Sequence, residues 1–364
     1  MPESDTDGRS TEGMVDYDAN SLAQKQHALR NSDVISELAA RISSLPGLLN
    51  FTDYGCGPGQ SAIETVRPAL ATWQKSNPSR ALSVCHADLP GNDWNGLTGL
   101  VFGETGYAAG PNAPLVQTAV GSFYERMVPD ASVSLATCFF AGHWLRTSVR
   151  FHAPETIWFA DLTGDARQQM WQRAEDDWTL FLRLRAEELQ PGGYLYVSSL
   201  GAVPEEGEIN QTAASGRGIY RALQAVTASM VEDGLLDRDA ADHFVFGLWF
   251  MTEAEARKPF EKHADLDEAF EIDTIAVIPL DDGGDLFSAY LSDPVDYARR
   301  YTGYTKAFAA TSLRAHLFEP GASAGKDAQW LEDEFFRRLD ALYREKTSIY
   351  ACEQWHTRVI LRRR

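Results

Sequence analysis

Phe51-Thr52-Asp53-Tyr54-Gly55-Cys56-Gly57-Pro58-Gly59-Gln60-Ser61 is the stretch that decides the fold. Leu48-Leu49 leads into it, and the apolar approach, the glycine-rich turn and the helix-prone run from Ser61 to Trp73 read as strand, loop and helix. In open α/β sheets such a loop lies beyond the carboxyl end of a strand, where glycine lets the backbone approach a ligand and a helix N-terminus faces it. The loop lacks the Lys-Ser/Thr ending of a phosphate-binding turn. Asp53 at the strand end suits a cationic ligand better than a phosphate.

Further units of the same kind follow. Leu82 to Ala87 is an apolar run ending at Asp88-Leu89-Pro90-Gly91, and Val133 to Phe140 leads into His143-Trp144. Both read as buried parallel strands that end in functional loops. Trp171 to Leu189 carries a helical apolar stripe, and Pro191-Gly192-Gly193 turns it into Tyr194 to Val197. Ile272 to Pro279 and Trp355 to Leu361 read as closing strands, the second preceded by a helix over Ala328 to Glu345. Between Gly201 and Ile272 the character changes. Ile219 to Leu236 and Asp239 to Phe250 are helix-prone without glycine-rich strand turns, which predicts an inserted helical cap. Asn20 to Ala40 predicts two short helices broken near Asn31-Ser32-Asp33.

The expected organisation is a disordered tail over 1–13 and an α/β core with N-terminal gating helices over 14–202. A helical cap over 203–268 follows, then the rest of the cap and the closing strands over 269–364. No internal repeat is visible.

Composition narrows the function. The 364 residues include 44% hydrophobic ones, ample for a core. With 52 acidic against 33 basic residues the formal charge is −19, which disfavours nucleic acid and anionic membrane surfaces. Cys56, Cys85, Cys138 and Cys352 are scattered, so neither a metal site nor a disulfide framework is expected. No signal peptide or membrane-length apolar run is seen. A cytoplasmic protein acting on a small molecule is the expectation.

Asp88, at the end of the second strand, suits a pair of ribose hydroxyls or else caps the turn that follows. On local grounds alone Trp144 reads as core, Gln24 as a solvated helix face and His143 as a packed histidine.

Five separated segments, taken in order, resemble the SABATH family of S-adenosylmethionine-dependent carboxyl methyltransferases, which act on salicylic, benzoic and jasmonic acids. These are Tyr17 to Gln24, Asp88 to Asn95, Gly121-Ser122-Phe123-Tyr124 with His143-Trp144 at matching spacing, Arg185 to Glu188 followed by Pro191-Gly192-Gly193, and Met230 to Leu235. The resemblance covers most of the chain from Tyr17 onward. It implies a Rossmann-like, doubly wound class I methyltransferase sheet with an inserted helical cap, S-adenosylmethionine as cofactor, and a homodimer. It places Tyr17, Ser21, Asp53, Gly55, Cys56, Gly59, Asp88, Leu89, Ser122 and Phe123 around the cofactor, with Phe123 near the adenine and Asp88 on the ribose. Gln24 and Trp144 would hold the substrate carboxylate, and Phe140, His143 and Trp249 would line its pocket. No residue is assigned to proton transfer, because a carboxylic acid is already ionised at neutral pH.

The chain also departs from the family. Gly55 to Ser61 replaces a Gly-Cys-Ser-Ser-Gly-Pro-Asn type of loop, and Val245 to Phe250 stands where an Asn-x-Pro-x-Tyr stretch is common, with Trp249 as the expected counterpart of the Tyr. Phe140 replaces a Tyr, and Arg146 to Gly164 has no counterpart. Two alternatives accompany the ester-forming reading: N-methylation of a xanthine-like base, and an inactive cofactor-binding regulatory subunit.

Overall fold

The structure is a computed structural model that describes residues 27–110, 112–204, 212–280 and 284–364. Helix α1 (Ser32–Arg41) precedes β1 (Leu49–Tyr54), all six residues of which are buried. Next come α2 (Gln60–Ser76), β2 (Leu82–Asp88), the short α3 (Trp94–Val101), β3 (Leu115–Val120) and β4 (Val133–Phe139). The 25-residue α4 (Gly164–Glu188) runs directly into β5 (Leu189–Leu200). A two-stranded ribbon, β6 (Ala202–Pro204) with β7 (Thr212–Ala214), leads to α5 (Arg217–Glu232) and the one-turn α6 (Arg238–Asp242). Then follow α7 (Glu253–Lys262), α8 (Ala264–Ala269), β8 (Phe270–Pro279), α9 (Pro294–Leu313), α10 (Ala328–Glu345) and β9 (Trp355–Arg363).

Seven strands form one sheet in the order β3-β2-β1-β4-β5-β9-β8. The first five are parallel and β9 is antiparallel to both of its neighbours. This is a Rossmann-like doubly wound sheet. The chain reverses direction across the sheet between β1 and β4, so the loops after these two strands part and leave a crevice.

β1, β2 and β4 are the buried, doubly covered strands that the sequence predicts, although each carries polar residues among its apolar ones. β3 has no such run: as an edge strand it is largely exposed, with Leu115 and Val120 facing solvent.

The cap is built from two separate stretches. α5 and α6 come before β8, and α9 and α10 after it; α9 packs on α10, and α10 on α5. Helices α7 and α8 pack instead against α4 and deliver the chain to β8. Capping fixes where these helices start. Thr252 and Glu255 form a capping box on α7, and the Asp293 carboxylate accepts from the Val295 and Asp296 amides at the head of α9.

Asp239 to Phe250, expected to be helical, is helical only as far as Asp242. Residues 244 to 246, 248 and 249 to 251 are all buried, so this stretch has no polar face for a helix to show to water. It runs extended instead and pairs with the stretch between Trp144 and Ile157. Leu248 bridges to Trp144, Phe244 bridges to Arg150, and the Phe246 amide donates to the Ile157 carbonyl at 2.9 Å. Trp158 stacks on Tyr220 of α5 at 5.1 Å between ring centroids. Arg146 to Gly164 thus ties the cap to the sheet.

Candidate active site

The glycine-rich loop leaves β1 in a conformation that its sequence permits. Gly55 has φ +69°, its amide donates to the Ala87 carbonyl at 2.8 Å, and a Cβ there would fall 2.3 Å from the Cβ of Ala141. Only glycine fits that position. Gly57, at φ +62°, donates its amide to Asp88 Oδ2 at 2.7 Å, while the Leu89 amide donates to Oδ1 at 2.7 Å. Asp88 is therefore held by both oxygens, with further lone pairs left for a ligand. Burial raises its pKa, opposed by those two amide hydrogen bonds.

Asp53 is buried at the end of β1, where Thr137 Oγ1 donates to its Oδ1 at 2.6 Å. Burial, with the nearby Asp88 adding, pushes its pKa up to about 7. Cys56 is buried beside it, and burial likewise raises its thiol. Asp53, Gly55, Cys56 and Phe140 share a small recess next to the main cavity. Gly59 is the extended N-cap of α2.

The main cavity, of about 440 Å³, runs along the carboxyl rim of the sheet. One end is formed by Gly55, Gly57, Pro58 and the Asp88 to Asp93 loop, and the other by Phe140, His143, Trp144, Tyr220, Tyr304 and Gln354. No lysine or arginine lines it among the described residues. His143 is buried with Nδ1 unpartnered, and burial, with His356 adding, lowers its pKa to about 3, so it is neutral at pH 7. Phe140 adopts φ +55°, unusual for a bulky residue, and its ring stands edge-on to His27 and His356.

Of the residues expected at the site, Gly55, Asp88, Leu89, Phe140, His143 and Trp144 line this cavity. Tyr17, Ser21 and Gln24 lie outside the described residues. Two groups fall elsewhere. Gly121 donates its amide to the Asp88 carbonyl at 2.9 Å, which sets Ser122 close to the rim, but the Ser122 hydroxyl accepts from the Tyr124 amide at 3.2 Å. Phe123 is buried against Tyr124 and Phe181 beneath the Gly55 turn and is not a wall of the cavity.

Trp249 needs a correction. It points away from the cavity, its indole N–H donates to Glu255 Oε1 at 3.2 Å, and Arg167 lies 5.6 Å over its ring. Along an extended chain successive side chains alternate sides. Phe250 packs behind the cavity wall, its ring 5.4 Å from that of His143 and 6.1 Å from that of Tyr220, and does not line the cavity itself.

Tyr220, Tyr304 and Gln354 were not foreseen as walls. The first two sit on amphipathic cap helices, where an aromatic reads as core. Gln354 gave one usable signal, its position immediately before a strand.

The residues present fit S-adenosylmethionine. A doubly anchored carboxylate at the end of β2 suits a ribose diol, a cradle that excludes any Cβ admits the ligand close to the backbone, and a buried carboxyl at the end of β1 suits a cationic ligand. No group of three or more His, Cys, Asp or Glu able to hold a metal ion occurs among the described residues.

Comparison with known proteins agrees with this geometry. Residues 6–364 match the family described as SAM dependent carboxyl methyltransferase. The chain is 24% identical over 315 residues to gibberellic acid methyltransferase 2 of Arabidopsis thaliana, covering 80% of this chain and 76% of that protein. It is 28% identical over 265 residues to anthranilate O-methyltransferase 3 of Zea mays, covering 65% and 68% respectively. The solved structure of a loganic acid methyltransferase with SAH superposes with a TM-score of 0.74 at 20% identity, covering 97% of this chain and 98% of that one. The chain belongs to the S-adenosylmethionine-dependent carboxyl methyltransferases, and S-adenosylmethionine is its cofactor.

Proposed function

We propose that the protein forms the methyl ester of a small carboxylic acid with an aromatic or otherwise apolar body. We further propose that Trp144 presents the carboxylate to the methyl donor bound between the Gly55 loop and Asp88. One observation carries this reading: a single cavity joins that loop and carboxylate to an aromatic chamber, with Trp144 in its wall and no lysine or arginine in it among the described residues.

An acid with a pKa near ~4 arrives ionised at pH 7, so no base is needed. The Trp144 indole N–H, together with the Gln24 amide that the family resemblance places beside it, would bind the carboxylate through neutral donors. This orients the nucleophilic oxygen without the ion pair that would blunt it. His143, held neutral, adds no charge to the pocket. When bound, S-adenosylmethionine supplies an electrophilic methyl on a sulfonium. Because the attacking oxygen is already ionised, the chain's own residues would move no proton. Positioning and exclusion of water would supply the rate.

Asp53, Gly55, Cys56, Gly59, Asp88 and Leu89 are proposed at the cofactor, Ser122 beside them, and Tyr17 and Ser21 from the preceding segment. The four cysteines are free and buried, which supports a reducing, cytoplasmic setting. No helix among the described residues is long and apolar enough to cross a membrane. A homodimer is proposed from the family resemblance and is checked by sedimentation.

The test is transfer of labelled methyl from S-adenosylmethionine to a panel of aromatic, indolic, aliphatic and xanthine-type substrates, with the base-lability of the product scored. A base-labile ester is expected, with kcat/KM falling about 100-fold in Trp144→Ala, the scale that loss of orientation costs. A base-stable product would move the assignment to N-methylation. Cofactor binding without any transfer would make the protein a regulatory subunit.

A further inference from the structure

The far end of the cavity carries a polar feature that carboxyl chemistry leaves unused. Gln354 immediately precedes β9, whose His356 pairs with Leu200 at the end of β5, so it lies at the same sheet rim as Asp88. β9 stands four strands from β2 in the sheet order, roughly 19 Å at ordinary strand spacing. Trp144 follows β4, two strands and roughly 10 Å from Gln354 on the same measure.

Gln354 is 2% exposed and lines the cavity. Its Nε2 donates to the Tyr304 hydroxyl at 2.7 Å and reaches Cys352 Sγ at 3.9 Å, whereas its Oε1 has no partner. In this orientation of the amide the donor is spent inside the protein and the acceptor is left. Buried acceptors of this kind are nearly always paired, and one in a ligand cavity is paired by the ligand or by solvent.

On the reading that Trp144 holds the carboxylate, we propose that the substrate acid carries a hydrogen-bond donor, a hydroxyl or N–H, at the end of its body remote from the carboxyl, and that Gln354 Oε1 accepts from it. Trp144 and Gln354 then grip the two ends of one molecule about a ring and a short arm in length, and Phe140, Ile219, Tyr220 and Phe308 enclose its apolar middle. An acid without the remote donor leaves Gln354 unpaired in the complex and is discriminated against for that reason.

The experiment compares initial rates of ester formation for benzoate, cinnamate and 4-phenylbutanoate, each as the parent acid and its 4-hydroxy and 4-methoxy derivatives. The 4-hydroxy acid is expected to exceed its parent in kcat/KM by about 10- to 100-fold at the best-fitting length. The methoxy acid, which offers only an acceptor, gains nothing. Gln354→Leu brings the ratio to about one by lowering the rate on the hydroxy acid. Should that variant fail to bind S-adenosylmethionine by calorimetry, Tyr304→Phe replaces it. Losing the contact that fixes Nε2 narrows the ratio without deleting the amide.

Equal rates at all three lengths, as expected if solvent serves Gln354, overturn the proposal. So does a preference for the methoxy acids, or a ratio that survives both variants. In each of these cases the ester-forming reading stands. Absence of a methyl ester with any acid removes that reading, and this proposal with it.

Discussion

Burial holds the Asp53 carboxyl at about 7 in the folded chain, against an ordinary value near 3.8. A carboxyl that protonates more readily folded than unfolded contributes most at low pH, and that contribution is lost as pH rises from about 4 through 7. Asp53→Asn keeps the acceptor for Thr137 and removes the buried charge. It should therefore melt above the parent at pH 8, by up to about 4 kcal/mol in stability, with the gap closing toward pH 4. An equal gap at both pH values would show that Asp53 does not titrate in this range. A cationic ligand draws the proton off, so S-adenosylmethionine should bind more tightly as pH rises through 7 in the parent and lose that dependence in the variant, read by calorimetry. Asp53 and Asp88 stand out in the sequence because each closes an apolar run, whereas Trp144, several residues beyond its strand, is marked only by the family resemblance. Trp249 owes its expected place to the family resemblance alone, and in the folded chain its indole N–H is engaged by Glu255 outside the cavity. Gln354 has only its place before a strand to mark it, a weaker signal than a periodic pattern.

At the junction of α4 and β5, Arg185 and Glu188 are both fully buried, with Arg185 Nε 2.7 Å from Glu188 Oε2, close enough to pair in charge although not aligned as a hydrogen bond. The rest of the network is directed. The Tyr54 hydroxyl donates to Glu188 Oε2 at 2.6 Å, the Met127 amide to Oε1 at 2.7 Å, and Arg185 donates to the Phe123 carbonyl at 2.9 Å. The guanidinium also lies 4.0 Å over the Tyr54 ring. This accounts for a motif that the sequence displays without explaining: Arg185 to Glu188 bolts the loop after β3 to the end of β1. Arg185→Met should cost about 3–5 kcal/mol in urea unfolding, because it strands a buried carboxylate. The double variant Arg185→Met/Glu188→Leu should recover part of that loss; if it is less stable than the single variant, the pair is not the source of the penalty. β3 and α9 escaped the sequence reading for opposite reasons, the former an exposed edge with no buried face and the latter a helix whose inward face is mostly Ala and Tyr.

At the scale of the whole molecule the charge of −19 surrounds a cavity meant for an anion. Diffuse repulsion slows the approach of a carboxylate and is screened over about 8–10 Å at physiological salt. KM for an acid substrate should therefore fall about two- to threefold between 10 and 200 mM salt with kcat unchanged, the reverse of a steered enzyme. A rise in KM would point to a local cationic surface at the mouth of the pocket.

β9 lies inside the sheet, yet its partner β5 is roughly 160 residues distant along the chain, with Leu200 opposite His356. Closing so long a loop delays the reward of pairing, so folding should be slow, on the scale of seconds or longer. Meanwhile β5 presents an unsatisfied edge to any other chain. Yield on refolding from denaturant should then fall steeply with protein concentration, because a second molecule's strand competes for the place that β9 reaches late.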